Sequence, residues 1–249
     1  MAVSNNTIKW VRSLALKKNR DKERCFVAEG TKCVLDTIGS FAVESLFCTD
    51  EWARLHDVGK AIIVTASQLE RMSMLKTPTD VIAVYCMPTY SIDYSAIGET
   101  LSLALDNIQD PGNLGTIIRI ADWFGIHDIF CSDGTVDVYN PKVVQATMGA
   151  ISRVRVHYCD LSELFGNLNK DVPVYGTFLD GRNIYEEELG VKGIIVMGNE
   201  GKGISAQTEK YVTKRLLIPS YPTGATTSES LNVAMATAIV VSEFRRRMI

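Results

Sequence analysis

The stretch that decides the fold runs from Gly193 to Asn232 and opens with Gly193-Ile194-Ile195-Val196-Met197-Gly198-Asn199-Glu200-Gly201-Lys202-Gly203. Its first five residues form an apolar run that stops at a polar, glycine-rich loop. A second run, Lys214-Arg215-Leu216-Leu217-Ile218-Pro219, leads through a Pro/Gly/Thr loop to Ser230-Leu231-Asn232. Buried strands that end in such loops are typical of an open α/β sheet, which binds ligands at the carboxyl ends of its strands. We therefore expect the functional site at that edge.

The composition indicates an ordinary globular protein. The chain has 249 residues, of which 46% are hydrophobic and 22% are charged. It has no signal-peptide core and no stretch as long as a membrane span, so we expect a cytoplasmic protein without a membrane partner. The six cysteines contain no Cys-x-x-Cys pair, and the three histidines never lie at ligand spacing with them. This pattern predicts reduced thiols and no metal.

Positive charge is concentrated at the start of the chain. The net charge is −3, yet residues 1–32 contain eight Lys and Arg against three Asp and Glu, a net +5 that leaves −8 for the rest. A basic segment on an acidic protein is a candidate phosphate-contacting face. A solvated helix surface would have the same composition, and the two interpretations stay open here.

Strand and helix patterns alternate along the whole chain. Residues 1–95 read as a small α/β domain that begins with an amphipathic helix over 6–18, and the linker is expected within 87–98. Residues 96–249 repeat the strand–helix pattern and close on a helix from about 229 to 247. Repeated alternation predicts a mainly parallel sheet with helices on both faces.

The first of three polar loops is Asp106-Asn107-Ile108-Gln109-Asp110-Pro111-Gly112-Asn113, which follows a predicted strand. Asn113 stands where the N-cap of a helix over 115–124 belongs. Arg119 falls within two turns of that helix start, so its guanidinium and the free helix N–H groups would attract a phosphate. A capped helix with a surface arginine is the structural alternative.

The other two loops follow the two apolar runs. The glycines of the loop 198–203 are spaced Gly-x-x-Gly-x-Gly, the reverse of the dinucleotide fingerprint, and Lys202 lacks P-loop spacing. What remains is a loop that can approach a ligand closely and carries one acid, Glu200. Ser230 and Asn232 are predicted in the first turn of the last helix, where they would present polar groups to a ligand or simply cap the helix.

Together these loops resemble the three motifs of the SpoU family of SPOUT-class RNA 2′-O-ribose methyltransferases. The resemblance covers nearly all of residues 101–247. Residues 1 to about 90 resemble the L30-like substrate-binding domain that many members carry in front. The motif residues are Asn113-x-Gly115-x-x-x-Arg119, Met197-Gly198-Asn199-Glu200-Gly201-x-Gly203, and Ile218-Pro219 with Ser230-Leu231-Asn232-Val233.

The resemblance implies a deep trefoil knot, an exception to the rule against knots, and a homodimer with its sites at or near the subunit interface. It implies S-adenosyl-L-methionine as cofactor, held on backbone near Thr177, Gly198, Ile218 and Leu231. It also implies a catalytic set that comprises Asn113, Arg119, Glu200, Ser230 and Asn232. Arg119 would activate the hydroxyl or bind the adjoining phosphate, and its high pKa favours the phosphate role. The link 220–229 is longer than usual in the family, which leaves its cofactor contacts open.

The function expected from this resemblance is methylation of a ribose 2′-hydroxyl in structured RNA. The front domain favours rRNA over tRNA as the substrate. Three alternatives stay open: a tRNA ribose methyltransferase, a non-catalytic RNA-binding or ribosome assembly factor, and an enzyme that methylates a base.

Overall fold

The computed structural model describes residues 3–77, 79–222, 228 and 230–247. The strands are β1 Cys25–Glu29, β2 Val43–Cys48, β3 Ile62–Ile63, β4 Val81–Cys86, β5 Leu101–Asp106, β6 Asp128–Cys131, β7 Arg155–Tyr158, β8 Val174–Asn183, β9 Gly193–Gly198 and β10 Lys214–Leu217. The helices are α1 Asn5–Ser13, α2 Lys17–Glu23, α3 Thr31–Thr37, α4 Asp50–Leu55, α5 Ala66–Met72, α6 Pro111–Trp123, α7 Pro141–Thr147, α8 Leu161–Gly166, α9 Ala206–Glu209 and α10 Val233–Arg246, with a 3-10 turn at Ala150–Ser152.

The chain divides into two compact units. The first comprises Met1–Thr89 and Asp137–Arg153, and the second comprises Tyr90–Val136 and Val154–Ile249. The segment 137–153 lies between β6 and β7 in sequence, yet it packs with the first unit, where α7 contacts β1. No local pattern in that segment distinguishes it from an ordinary crossover helix.

The first unit is built on a four-stranded mixed sheet in the order β1-β4-β2-β3. Strand β4 pairs antiparallel with β1 and with β2, and β3 pairs parallel with β2. Helices α1 and α5 lie against each other, and buried residues of α1, α5 and the sheet form one core. The guanidinium of Arg20, only 1% exposed, ties the α1–α2 corner to Asp137 through a buried ion pair.

The second unit is a six-stranded sheet in the order β10-β8-β9-β5-β6-β7, and every adjacent pair is parallel. All six residues of β5 are buried, as expected for a central strand covered on both faces. From β5 the chain continues to β6 on one side, whereas β9 lies on its other side. This reversal is the switch point at which parallel sheets form a ligand crevice. The predicted α/β class with a parallel sheet is confirmed.

Helix α10 returns from the edge of the sheet to its centre. It packs on α6, and Arg245 donates to the carbonyls of Phe124 and Gly125 at the end of α6. The end of α10 also contacts β8 and the residue after it. The rings of Phe244 and Tyr175 pack edge to face with their centroids 4.8 Å apart, and Arg247 donates to the carbonyl of Ile184. The end of α10 is therefore held between the end of α6 and the segment that follows β8.

Three predicted helix boundaries were wrong. The first amphipathic helix, predicted to reach residue 18, ends at Ser13, and a second helix, α2, begins at Lys17. Helix α6 begins at Pro111 and is capped by Asp110, which accepts from the amide of Asn113, because an aspartate three residues earlier competes for the same capping role. Helix α10 begins at Val233, with Asn232 as its N-cap, so Ser230 lies outside the helix. The predicted start at 229 and most of the link 220–229 fall on residues outside the described ranges.

Cysteines and candidate ligands are dispersed. All six cysteines are free thiols. Among the described residues, no group of three or more His, Cys, Asp or Glu is placed to hold a metal ion. Within the same residues, no helix combines the length and apolar character needed to cross a membrane.

Candidate active site

The loops that follow β5 and β9 are pinned together by buried polar contacts. Asp106, at the end of β5 and 2% exposed, accepts through Oδ2 from the amide of Ser205 at 2.8 Å. Its Oδ1 accepts from Nδ2 of Asn107 at 2.6 Å. Nδ2 of Asn199, just after β9, donates to the carbonyl of Asn107 at 2.8 Å. These bonds hold the two loops in one arrangement at the switch point of the sheet.

The loop 198–203 is a closed turn that presents Glu200. The backbones of Asn199 and Gly203 exchange two hydrogen bonds of 3.0 and 2.8 Å, and Oδ1 of Asn199 accepts from the amides of Gly201 and Lys202. A Cβ on Gly198 would lie 2.3 Å from backbone atoms of Gly203 and Ile204. Glycine is therefore required at 198 by the packing of the loop itself.

A chain of three side chains crosses the mouth of this loop. Nδ2 of Asn113 donates to Oε1 of Glu200 at 2.7 Å, and Nδ2 of Asn232 donates to Oδ1 of Asn113 at 2.9 Å. Oδ1 of Asn232 in turn accepts from the amides of Ala234 and Met235, at 3.0 and 3.3 Å, at the start of α10. Residues 113, 200 and 232 thus come together from three distant parts of the sequence.

Every donor in this chain points toward Glu200. The positive end of the α10 dipole lies at one terminus and the carboxylate at the other, so each amide is polarised in the same sense. Oε2 of Glu200 accepts no hydrogen bond from any described residue, and the residue is half-buried. One carboxylate oxygen is therefore fixed while the other remains available to a ligand.

Arg119 and Ser230 are near this chain in sequence but are not bonded to it. Arg119 is exposed, and it is the ninth residue of α6, farther from the helix start than the sequence suggested. Within the described ranges it forms no hydrogen bond and no ion pair. Ser230 is exposed and precedes the N-cap of α10 by two residues. Their predicted roles stay predictions.

The four predicted cofactor positions lie at the ends of neighbouring elements. Thr177 follows the part of β8 that pairs with β9, and its Oγ1 donates to the carbonyl of Val196 at 3.3 Å. Gly198 ends β9, Ile218 follows β10, and Leu231, 49% exposed, immediately precedes the cap of α10. Strands β10, β8 and β9 are adjacent in the sheet, so the first three positions share its carboxyl edge.

Strand β8 opens beside these positions. Its register with β10 jumps from Gly176 opposite Arg215 to Arg182 opposite Leu216, so the segment 177–181 leaves the ladder. A Cβ on Gly181 would lie 2.5 Å from the backbone of Leu216. The bulge leaves Leu179 75% exposed, an unusual position for a leucine beside strand ends.

Sequence reasoning did not identify Asp106, Asn107 and Ser205 as site residues. Their side chains or amides hold the loops that carry the predicted residues, and Asn107 adopts φ 60° to do so. The available signal was an Asp-Asn pair directly at a strand end, where a buried carboxylate needs a partner. That partner, the amide of Ser205, is 99 residues away.

Two family models match the chain. The model described as the SpoU rRNA methylase family matches residues 100–242, more than half of the chain. The model described as the MRM3-like substrate binding domain matches residues 5–83.

Individual relatives agree with these matches. The chain is 31% identical to the Bacillus subtilis 23S rRNA (guanosine(2553)-2′-O)-methyltransferase RlmP, over 98% of both chains. A Porphyromonas gingivalis protein assigned to the TrmH family of RNA methyltransferases superimposes with a TM-score of 0.90 at 39% identity, covering 99% of this chain and 100% of that one. An rRNA methyltransferase from Sinorhizobium meliloti, crystallised with S-adenosylmethionine, gives a TM-score of 0.87 at 28% identity, covering 100% and 97%.

The family resemblance inferred from three short motifs is thereby confirmed over residues 100–242. Since the family model covers most of the second unit and the relatives extend over nearly the full length, the chain belongs to the SpoU rRNA methylase family.

Proposed function

We propose that the protein transfers a methyl group from S-adenosyl-L-methionine to a ribose 2′-hydroxyl of structured RNA, and that the substrate is rRNA rather than tRNA. The observation that carries the proposal is the hydrogen-bonded chain Asn232–Asn113–Glu200 at the switch point of the sheet. Relatives of similar length support the substrate class, since the Bacillus subtilis protein is named as a 23S rRNA 2′-O-methyltransferase.

The carboxyl edge of β8, β9 and β10 fits the cofactor. Strand ends offer unpaired backbone N–H and C=O groups, which suit an adenine edge and an amino-acid carboxylate. Leu179, in the bulge of β8, and Leu231, just before α10, are exposed and supply apolar contact surface. Thr177, Gly198, Ile218 and Leu231 would hold the cofactor, which when bound supplies an electrophilic methyl group on a sulfonium sulfur.

The hydrogen-bonded side chains around Glu200 would orient the ribose 2′-hydroxyl and accept its proton. A ribose hydroxyl is a weak nucleophile at neutral pH, so the site must orient it and accept its proton. Asn113 fixes one oxygen of Glu200, and Oε2 of Glu200 is the free acceptor for that proton. Asn232 orients Asn113, Ser230 donates a hydroxyl at the same mouth, and Arg119 holds the adjoining phosphate.

We further propose that the second unit contains a deep trefoil knot. The chain leaves the sheet at its β10 edge, yet Asn232 bonds Asn113 at the start of α6, beside the central strand. The end of α10 is then held between Gly125 and Ile184. An experimental structure in which the chain after β10 passes outside the segments that follow β8 and β9 would contradict the knot.

We also propose a homodimer through the outer faces of α6 and α10. Trp123 is 84% exposed and Met235 is 56% exposed, and such apolar surface commonly marks an interface. Arg119 lies one turn before Trp123, so pairing of two copies would carry it to the subunit interface. Light scattering should show a dimer that Trp123→Glu with Met235→Glu converts to monomer, whereas Leu55→Glu, at a leucine 72% exposed in the first unit, should not.

The division of labour is part of the proposal. Residues 1–95 serve as an L30-like substrate-binding domain, supported by the substrate-binding model over 5–83, and residues 96–249 serve as the catalytic domain. We place the protein in the cytoplasm, because its six free thiols suit a reducing compartment.

The decisive experiment uses purified protein, labelled S-adenosylmethionine and rRNA from cells that lack this protein. We expect label in one ribose, found by digestion to nucleosides and by mapping of the resistant phosphodiester. Label in a base would favour the base-methylating alternative. Label in the ribose of tRNA, in a parallel reaction, would favour a tRNA methyltransferase. RNA binding without label or cofactor binding would favour an assembly factor.

A further inference from the structure

Several cations of the first unit have acidic partners: Lys17 with Asp21 at 2.7 Å, Lys32 with Asp36 at 3.3 Å, and Arg54 with Asp50. Each of these pairs spans one helical turn. Arg20 is buried in its pair with Asp137. The net +5 of residues 1–32 is therefore not one uniform surface, because part of it is neutralised locally.

Four other cations lie on α1, at the end of α5 and in the segment that follows α5. Lys9 and Arg12 follow Asn5 on one side of α1, and Nη2 of Arg71 donates to Oδ1 of Asn5 at 2.9 Å. Nη1 of Arg12 donates to the carbonyl of Ser73, three residues before Lys76. All four cations, Lys9, Arg12, Arg71 and Lys76, are exposed. We call Lys9, Arg12, Arg71 and Lys76, with the backbone of 73–76, the α1–α5 face.

No acidic residue among those described lies within ion-pair distance of these four cations. Glu29, which interacts electrostatically with Arg12, is only 4% exposed and bonds the backbone of the loop after α5. Cations held side by side without acidic partners repel one another, so a bound anion would stabilise them.

The loop of this face is held in place from beneath. Oε2 of Glu29 accepts from Oγ of Ser73 at 2.5 Å, and Oε1 accepts from the amide of Met74 at 2.9 Å. Burial raises the pKa of Glu29, and the bonds from Ser73 and Met74 and the charge of Arg12 only partly offset it. Both oxygens of the buried Glu29 carboxylate therefore hold residues 73 and 74, just before Lys76, in place.

We propose that the α1–α5 face binds phosphate groups of the RNA substrate and so orients it on the first unit. This inference rests on the proposed function, and it identifies the part of the substrate-binding domain that contacts the nucleic acid. Point charges on a rigid backbone suit the regular phosphate spacing of a structured RNA. Lys17, Lys32 and Arg54 lie outside the face.

The test compares two variants with the same change in charge. The face variant carries Lys9→Gln, Arg71→Gln and Lys76→Gln, and it keeps Arg12, which bonds the loop. The control variant carries Lys17→Gln, Lys32→Gln and Arg54→Gln. Binding of a folded rRNA fragment is measured by fluorescence anisotropy over a range of KCl concentrations, with melting temperature and S-adenosylmethionine binding as checks on folding.

We expect the face variant to lose about tenfold or more in RNA affinity, with a salt slope shallower by about 2, since each lost phosphate contact removes about 0.7–0.9 from that slope. The control should stay within about twofold of the unmodified protein. Equal losses in both variants, or none in the face variant, would overturn the inference. Full RNA affinity with lost binding to ribosomal protein would assign the face to a protein partner instead.

Failure of this inference can be told apart from failure of the proposed function. If the unmodified protein methylates rRNA and the face variant binds RNA as tightly, only the placement of the RNA is wrong. If the unmodified protein neither binds nor methylates RNA, the proposed function itself fails.

Discussion

Each end of the parallel sheet in the second unit has a carboxylate among polar partners, and the two are bonded differently. At the amino end, Asp128 opens β6, and Arg155 opens β7 beside it. Oδ1 of Asp128 accepts from Nε of Arg155 at 2.8 Å and from Nε2 of His157 at 2.9 Å, and Oδ2 accepts from Nη2 of Arg155 at 2.6 Å. At the carboxyl end, Glu200 accepts one bond from a neutral amide.

The two carboxylates differ in how many of their oxygen atoms accept hydrogen bonds. Both oxygens of Asp128 are used, and a cation neutralises its charge. Burial raises the pKa of Asp128, but the bonds from His157 and Arg155 outweigh burial and hold that pKa well below its usual range. Within the part of the chain that the structure describes, Glu200 keeps a free oxygen and has no bonded cation. A saturated carboxylate stabilises the fold, whereas an unsaturated one is available to a ligand.

The largest expected effect comes from Glu200→Gln. The amide has the same shape and can still accept from Asn113, but it can neither take the proton of the ribose hydroxyl nor carry charge. We expect kcat to fall by about 10²–10⁴, while the dissociation constant for S-adenosylmethionine changes little. Single-turnover methylation of the rRNA substrate measures the fall.

The matched control is Asp128→Asn, the same carboxylate-to-amide change at the other end of the sheet. Assayed well below its melting temperature, it should keep activity within about twofold, because it lies outside the reacting groups. Similar activity losses in both variants would remove the distinction between the two ends.

Asn113→Ala tests the middle of the amide chain. It deprives Glu200 of its donor and Asn232 of its acceptor, so we expect kcat/KM to fall by about 10- to 100-fold, or roughly 1.4–2.7 kcal/mol of transition-state stabilisation. The melting temperature should change little, because Asp110 caps α6. A matched variant, Asp110→Ala, should instead lose about 1 kcal/mol of unfolding free energy. Unchanged activity in Asn113→Ala would show that Glu200 acts without the chain.

Of the two carboxylate-to-amide changes, Asp128→Asn should destabilise the fold more than Glu200→Gln does. Losing charged hydrogen bonds from Arg155 and His157 should lower the free energy of unfolding by about 1–2 kcal/mol, which thermal or urea denaturation can measure. The control is Asp21→Asn, which removes the exposed pair with Lys17 and should cost less than about 0.5 kcal/mol. Equal costs at the two sites would mean that the full set of hydrogen bonds to the half-buried Asp128 contributes no stability.

The smallest expected effect is on the pH dependence of stability, measured as the difference in unfolding free energy between the unmodified protein and Asp128→Asn. The pKa of Asp128 is lower in the folded protein than in the unfolded chain, so its contribution is complete above the unfolded value of about 3.9 and is lost as pH falls below it. Between pH 5 and pH 3, the gap between the unmodified protein and Asp128→Asn should narrow by about 1 kcal/mol. A gap that stays constant or widens on acidification would contradict the bonding described for Asp128.

Much of the fold could be predicted locally. Strands β5 and β9 were recognisable because continuous apolar runs ended in polar residues and glycine, and their placement in a parallel sheet followed from alternation with helices. The packing of segment 137–153 with the first unit could not be predicted, since a helix that leaves its own sheet has the same local pattern as one that stays.

The site shows the same limit at the level of single residues. Asn113 and Asp110 are both good capping residues; Asp110 caps the helix, and the side chain of Asn113 instead donates to a glutamate 87 residues away. The sequence by itself determined which polar residues end the strands, because backbone propensity and hydrophobic burial act over a few neighbouring positions. Only the tertiary structure decided which of them share hydrogen bonds, because that depends on distances between loops that parallel pairing of β5 with β9 and the return of α10 bring together.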